Sequence, residues 1–186
     1  MKQKKIYVIT RNKGKLLAAQ KAFLGTGIEL GVIEKDYPEI QADSNIEIAR
    51  FTALEAAEEF KVRVVREDHG LFINALGGFP GPYTSYFEKT IPVEKLLEML
   101  EYSEDRTGYF VIAAAFAKPD GSVKEFVYKV PIRISPEIKG DRDNWDRALM
   151  LAEGDKTFAE VTEESTVGLW NKNFIAIAKE ISINPD

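Results

Sequence analysis

The sequence contains no cysteine and a single histidine, His69. The first absence removes disulfides, thiolate nucleophiles and Cys-ligated zinc. The second excludes His-rich metal sites and leaves a Ser-His-Asp triad only one residue to be built around. Long apolar runs are missing too, since none approaches the roughly 20 residues needed to cross a bilayer. The basic start, Met1 to Lys5, is followed by Ile6 to Thr10, which is too short for a signal-peptide core. Basic charge is outweighed: 25 Lys and Arg against 30 Asp and Glu leave a net charge of -5. That balance argues against sequence-independent nucleic-acid binding, which wants a basic face, although enough cations remain for a local patch. The expectation is an intracellular, cytoplasmic chain with neither a membrane nor a nucleic acid as partner.

What is present is an ordinary soluble composition, 45% hydrophobic and 30% charged over 186 residues, the size of one domain with a sizeable core. Lys5 to Thr10 is rich in β-branched and aromatic residues and predicts a first strand. A turn at Arg11 to Gly14 leads into a predicted helix over Lys15 to Leu24, with Leu16, Ala19 and Phe23 on one face and Gly25 as its stop. Glu29 to Ile33 predicts a second strand. Ser44 with Glu47 has the spacing of a capping box, opening a helix to about Phe60 that turns Ala49, Ala53, Ala56 and Phe60 inward. Val62 to Val65 predicts a short strand ending at Arg66-Glu67-Asp68. Ala75 to Tyr83 reads as loop, Val93 to Leu100 as a short helix, and Asn173 to Ile181 as the last helix. Tyr109 to Ala117 and Val123 to Ile134 predict two long strands joined by a turn at Pro119-Asp120-Gly121-Ser122. No repeat or linker interrupts the chain, which reads as a single mixed α/β domain over residues 1–186.

Several segments carry chemistry. In Thr10-Arg11-Asn12-Lys13-Gly14-Lys15 a turn feeds a helix N-terminus, where free amides, the helix dipole and two lysines suit a polyphosphate. A capped helix with two solvated lysines explains the same residues and, on this segment alone, explains them better. Glu67-Asp68-His69-Gly70, read as a strand entering a glycine turn, offers two carboxylates to a hard cation; an ordinary acidic turn accounts for it equally well. Glu39, in a proline-shaped loop, is a third candidate carboxylate, though alone it reads as a surface residue. His69 has the neutral-range pKa of a proton carrier, but with no partner identifiable in sequence a solvated turn histidine explains it better. Trp145-Asp146 suits a nucleobase, the indole stacking and the carboxylate accepting from ring N–H groups. A core tryptophan beside a surface aspartate is the commoner case.

Taken in chain order, these segments resemble the inosine triphosphate, or non-canonical purine nucleoside triphosphate, pyrophosphatases. Thr10 to Leu16 is similar to that family's opening Thr-x-Asn-x-x-Lys segment, and Pro38-Glu39-Ile40-Gln41 to the segment supplying a metal-proximal glutamate. Glu67 to Leu71, Asn74-Ala75-Leu76-Gly77-Gly78 and Pro80-Gly81-Pro82-Tyr83 look like its long central signature, in a form that leans toward the eukaryotic one. Trp145-Asp146 and Thr157-Phe158-Ala159-Glu160 fall where the family has its base-pocket Trp/Tyr-Asp and its Thr-Phe-Ala-Glu. The resemblance implies an elongated mixed sheet with two lobes around a central cleft, a long β-hairpin, flanking helices and a homodimer. It implies hydrolysis of inosine, deoxyinosine or xanthosine triphosphate to the monophosphate and pyrophosphate, with Mg2+ or alternatively Mn2+. Asp68 would be the catalytic carboxylate, and Glu39, Glu67 and Asp68 the metal ligands. Thr10, Asn12, Lys13, Lys15, His69, Trp145, Asp146 and Lys172 would bind substrate.

The chain also departs from that pattern. His69 replaces the Ser or Thr after the catalytic Asp, and Ala49-Arg50-Phe51-Thr52-Ala53 lacks the lysine of the helical Ala-Arg-x-Lys-Ala. Asp143-Asn144 replaces Phe-Gly before Trp-Asp. The terminal Lys and Ser-His-Arg give way to Glu164-Ser165 through Leu169-Trp170-Asn171-Lys172. These losses keep two other readings in play: a catalytically silent nucleotide-binding homologue, and a pyrophosphatase for another modified nucleotide.

Overall fold

The structure, a computed structural model, describes residues 4–184. Its elements are β1 (Lys4–Ile9), α1 (Lys13–Phe23), β2 (Ile28–Ile33), α2 (Asn45–Phe60), β3 (Val64–Ile73), β4 (Pro80–Gly81), α3 (Thr84–Thr90), α4 (Val93–Met99), β5 (Thr107–Ala117), β6 (Val123–Ile134), β7 (Leu149–Leu151), α5 (Glu163–Trp170) and α6 (Lys172–Ile183). The strands form a mixed sheet in the order β2-β1-β3-β5-β6-β7, with β4 paired to β3. No helix among the described residues is long and apolar enough to cross a membrane. The chain divides into two compact units, one from the described residues of Met1–Asp68, Ile112–Tyr128 and Val167–Asp186, the other from His69–Val111 and Lys129–Thr166. β3, β5 and β6 therefore each contribute to both.

In the first unit β1 pairs in parallel with β2, Lys4 to Ile9 against Ile28 to Ile33, and with β3 through Tyr7, Val8 and Ile9. Because strand side chains alternate, β1 feeds two cores. Ile6 and Val8 pack with Val65, Ala114 and Phe116 against Ala18, Ala19 and Phe23 of α1 and Phe174, Ile177, Ala178 and Ile181 of α6. Ile9 lies on the other face, with Val64, Ala115 and Ala117 against Ala49, Ala53, Ala56 and Ala57 of α2. A strand covered on both faces reads as an unbroken apolar run, as Ile112 to Ala117 does. The alanine stripes let α2 approach the sheet closely.

The second unit contains the distal part of β3, where Leu71 and Phe72 pair antiparallel with Gly81 and Pro80, after a cis Phe79–Pro80 bond. It also contains the distal part of β6, where Ile132, Arg133 and Ile134 pair antiparallel with Leu151, Met150 and Leu149. Leu96, Leu100, Trp145, Leu149 and Phe158 are buried in it.

Apart from the strand expected at Val62 to Val65, the predicted strands, the Lys118–Ser122 turn and the last helix are present, with ends shifted by one or two residues. Four expectations are corrected. Phe60 is exposed, because it lies in the last turn of α2, beyond the alanine stripe. Ser44 takes the extended N-cap conformation but makes no side-chain cap, so the capping box with Glu47 does not form. β3 does not end at Asp68 but continues through His69 and Gly70 to Ile73. The stretch read as loop at Ala75 to Tyr83 holds part of a helical turn (Asn74–Leu76) and β4.

Candidate functional site

The residues singled out in the sequence divide between the units: Thr10, Asn12, Lys13, Lys15, Glu39, Glu67, Asp68 and Lys172 in the first, His69, Trp145 and Asp146 in the second. At the end of β1 the buried Thr10 accepts the Asn12 N–H at its Oγ1 (3.1 Å), and Asn12 Oδ1 accepts the Lys15 N–H (3.1 Å). The two accepting oxygens thus fasten the start of α1, satisfying amides that would otherwise seek an anion, while the Thr10 hydroxyl and the Asn12 NH2 group remain donors. Gly14 makes room for this cap, since a Cβ there would meet Asn12 Oδ1 at 3.2 Å. Lys13 stays exposed on the first turn.

Lys15 is not a solvated lysine. It is half-buried, and its Nζ donates to the Glu67 carbonyl at 3.0 Å. Burial pushes its ammonium below the ordinary value of 10.5; Asp68, Glu67 and Glu39 oppose that shift, while Arg66 adds to it. Between the lowered value and 10.5 the unfolded chain holds the proton more tightly, so this residue makes stability rise with pH across that window. In Lys15→Met that increment is expected to be missing. Melting temperatures of the two chains, compared between neutral pH and about 10, should diverge in favour of the wild type, and parallel curves would refute the assignment.

The continuation of β3 decides how the acidic residues are aimed. Val65 faces α1 and α6 and Val64 faces α2. By alternation Glu67 follows Val65, while Arg66 and Asp68 follow Val64. The contacts agree: Asn45 at the start of α2 donates from Nδ2 to Asp68 Oδ2 at 2.7 Å, and Arg66 lies 3.8 Å from Glu39 Oε1 and donates to the Ile9 carbonyl (3.2 Å). Glu67, only 2% exposed, lies on the opposite face; there the burial of Tyr128, and then the charge of Glu67, push the Tyr128 phenol above the usual tyrosine range. Tyr128 donates to the Leu169 carbonyl (2.5 Å), and Lys172 stands 5.3 Å from its ring centroid. The expected shared ligation by Glu67 and Asp68 is therefore corrected: a strand, unlike a turn, points neighbours apart.

In the second unit His69 lies within β3, not in a turn. Trp145 is 1% exposed, its indole N–H donating to the Ile91 carbonyl (2.8 Å) and its amide to Glu88 Oε1 (3.2 Å). A ring so enclosed offers no face to a base, so its expected stacking role is corrected to a core one. Burial, then the charge of Asp146, raises the Glu88 carboxyl above its usual range. Asp146 is held by Arg142 at 2.6 Å. Thr157-Phe158-Ala159-Glu160 forms the capping box that Ser44 does not: Glu160 Oε2 accepts from the Thr157 amide (2.8 Å) and hydroxyl (3.0 Å).

Sequence reasoning passed over Asn45 and Arg66. Asn45 stood inside an apparent capping box, and nothing local to it signals a partner 23 residues away. For a divalent cation, no group of three or more Asp, Glu or His side chains is suitably clustered among the described residues. Magnesium commonly takes one or two carboxylates and completes its shell with water and substrate phosphates. Glu39, which lies against Arg66 on the strand face that carries Asp68, fits that donor set together with Asp68.

Comparison with known proteins bears on this geometry. The profile of the Ham1 family matches residues 6–169. A dITP/XTP pyrophosphatase of Ignicoccus hospitalis is 39% identical over 186 residues, covering 98% of this chain and 99% of the relative. One from Methanothermobacter marburgensis is 40% identical over 159 residues, covering 85% and 84%. Among solved structures, the Ham1 protein of Staphylococcus aureus superposes with a TM-score of 0.79 at 24% identity, covering 98% of this chain and all of that one, a likeness of fold. The nucleoside-triphosphatase, or dITP/XTP pyrophosphatase, of Mycobacterium abscessus gives 0.73 at 25% identity over 93% and 98%.

Proposed function

Because the chain belongs to the Ham1 family, we propose that it hydrolyses non-canonical purine nucleoside triphosphates, dITP, ITP and XTP, to the monophosphate and pyrophosphate. Relatives that align with most of the chain, one of them with 98% of it, carry the name dITP/XTP pyrophosphatase, which supports the substrate class. The observation that carries the chemistry is Asp68, its carboxylate fixed by the buried Asn45 at 2.7 Å.

Asp68 takes the proton of a water as that water attacks the α-phosphorus. The new P–O bond forms as the bond to the bridging oxygen breaks, and pyrophosphate leaves. Lys15 carries a charge that burial leaves under-solvated, which strengthens its pull on phosphate oxygens. Lys13, exposed at the first turn of α1, adds a second point charge. The cation would be Mg2+, held by Glu39 and Asp68, where it would neutralise phosphate charge and orient the water. A homodimer and a cytoplasmic setting belong to the same proposal, on the family resemblance.

The deciding assay is pyrophosphate release with Mg2+ or Mn2+ from dITP, ITP, XTP and the canonical triphosphates. Release from the hypoxanthine and xanthine nucleotides, well above that from ATP or GTP, is the expected result. Equal release from all members would remove the specificity, and none from any member would remove the enzyme.

A further inference from the structure

Asn45 carries a contact that the fold alone does not need. It is the first residue of α2, 1% exposed, and its Nδ2 donates to Asp68 Oδ2 at 2.7 Å. That bond sets the orientation of the amide, because turning it over would face oxygen to a carboxylate. The amide oxygen is thereby pinned beside Asp68, and it is buried with no hydrogen-bond partner among the described residues. Leaving a buried acceptor unpaired is costly, and a leucine of similar size would avoid that penalty if the amide served packing alone. An acceptor held next to a carboxylate calls for a species with two O–H donors.

Resting on the pyrophosphatase reading, we infer that Asn45 is a catalytic residue that holds the attacking water together with Asp68. Asp68 accepts the proton that leaves, and Asn45 Oδ1 accepts the other O–H, which stays on the phosphate product. With both hydrogens placed, the oxygen lone pair has one direction left, toward phosphorus. The start of the 16-residue α2 supports the same step, since its positive end stabilises negative charge growing on the water. A cation is less well suited to that amide, because the helix end repels it.

The test compares Asn45→Val with Asn45→Thr, which are alike in shape and differ by one hydroxyl. Measured quantities are kcat and KM for pyrophosphate release, the melting temperature, and the Kd of a non-hydrolysable triphosphate analogue. The expected result is a loss of kcat of roughly 10²-fold in Asn45→Val, with KM and analogue Kd nearly unchanged and part of the loss recovered in Asn45→Thr. If the wild type turns over and Asn45→Val matches its kcat, or if Val and Thr lose turnover equally and only in step with melting temperature, the water-holding role falls while the pyrophosphatase reading stands. A wild type that binds the analogue but releases no pyrophosphate from any triphosphate overturns both.

Discussion

Asp68→Asn is expected to lower kcat for pyrophosphate release by roughly 10²–10⁴-fold, the usual contribution of a positioned base. The fold should survive. Asparagine is isosteric with aspartate, and its Oδ1 can still accept the Asn45 N–H that now goes to Asp68 at 2.7 Å. What disappears is the basic oxygen and one negative charge near Lys15, so the Lys15 ammonium loses part of what opposes its burial. The variant should melt within a few degrees of the wild type and still bind a triphosphate analogue. Asp120→Asn supplies the contrast, since it weakens the turn's bonds to Ser122 and is expected to leave turnover in place. An Asp68→Asn chain that kept its activity would end the catalytic assignment.

The largest stability loss is expected from Gly140→Ala. Gly140 has φ +82, and a Cβ there would lie 2.6 Å from the Ala159 Cβ and 2.7 Å from its carbonyl carbon and oxygen. Backbone cannot move aside as a flexible side chain can, and Ala159 is held inside the Thr157–Glu160 capping box. The Thr157 hydroxyl also reaches back to the Lys139 carbonyl at 3.3 Å, fastening the two loops at this level. Left-handed strain and overpacking together should cost about 3 kcal/mol, or roughly 6–12 °C in melting temperature for a chain of this size. Gly25→Ala separates the two causes. Its φ is +76, but nothing lies within 4 Å of the added carbon, so only the backbone term of about 1 kcal/mol remains. Thermal unfolding of both variants checks this, and equal losses would show that the contact at Ala159 is not rigid.

The parts of the fold that were legible are those where one residue type answers to one local rule. The apolar runs of β1 and β5, the Pro-Asp-Gly-Ser turn and the α2 alanine stripe needed no distant information. The misses share a different cause. Glu67 to Gly70 looked like a strand entering a turn because charged residues seldom sit in a strand, yet the partners that make this tolerable, Asn45 and Lys15, come from elsewhere in the chain. α3 went unseen because none of its residues is buried and it carries no apolar stripe, whereas the equally short α4 shows one in Val93 and Leu96. At the site, residue identity showed that carboxylates and lysines were available. Their facing did not follow, because separating Glu67 from Asp68 requires knowing that β3 continues. The Thr-x-x-Glu spacing at Thr157 and the Ser-x-x-Glu spacing at Ser44 look alike in sequence, and only the first closes into a box.

The order of assembly is a final consequence of the first core. Ile6 and Val8, in the first strand of the described residues, rest on Phe174, Ile177 and Ile181 of α6. A nascent chain emerging from the ribosome therefore carries its earliest strand with one apolar side uncovered until nearly all of the described residues have been synthesised. The core beneath Lys15, although it starts at β1 and α1, is closed only when α6 has been added. Chaperones that shield exposed β-strands would meet this protein early and for long, and a stop codon before α6 would leave a sticky fragment that cannot complete itself.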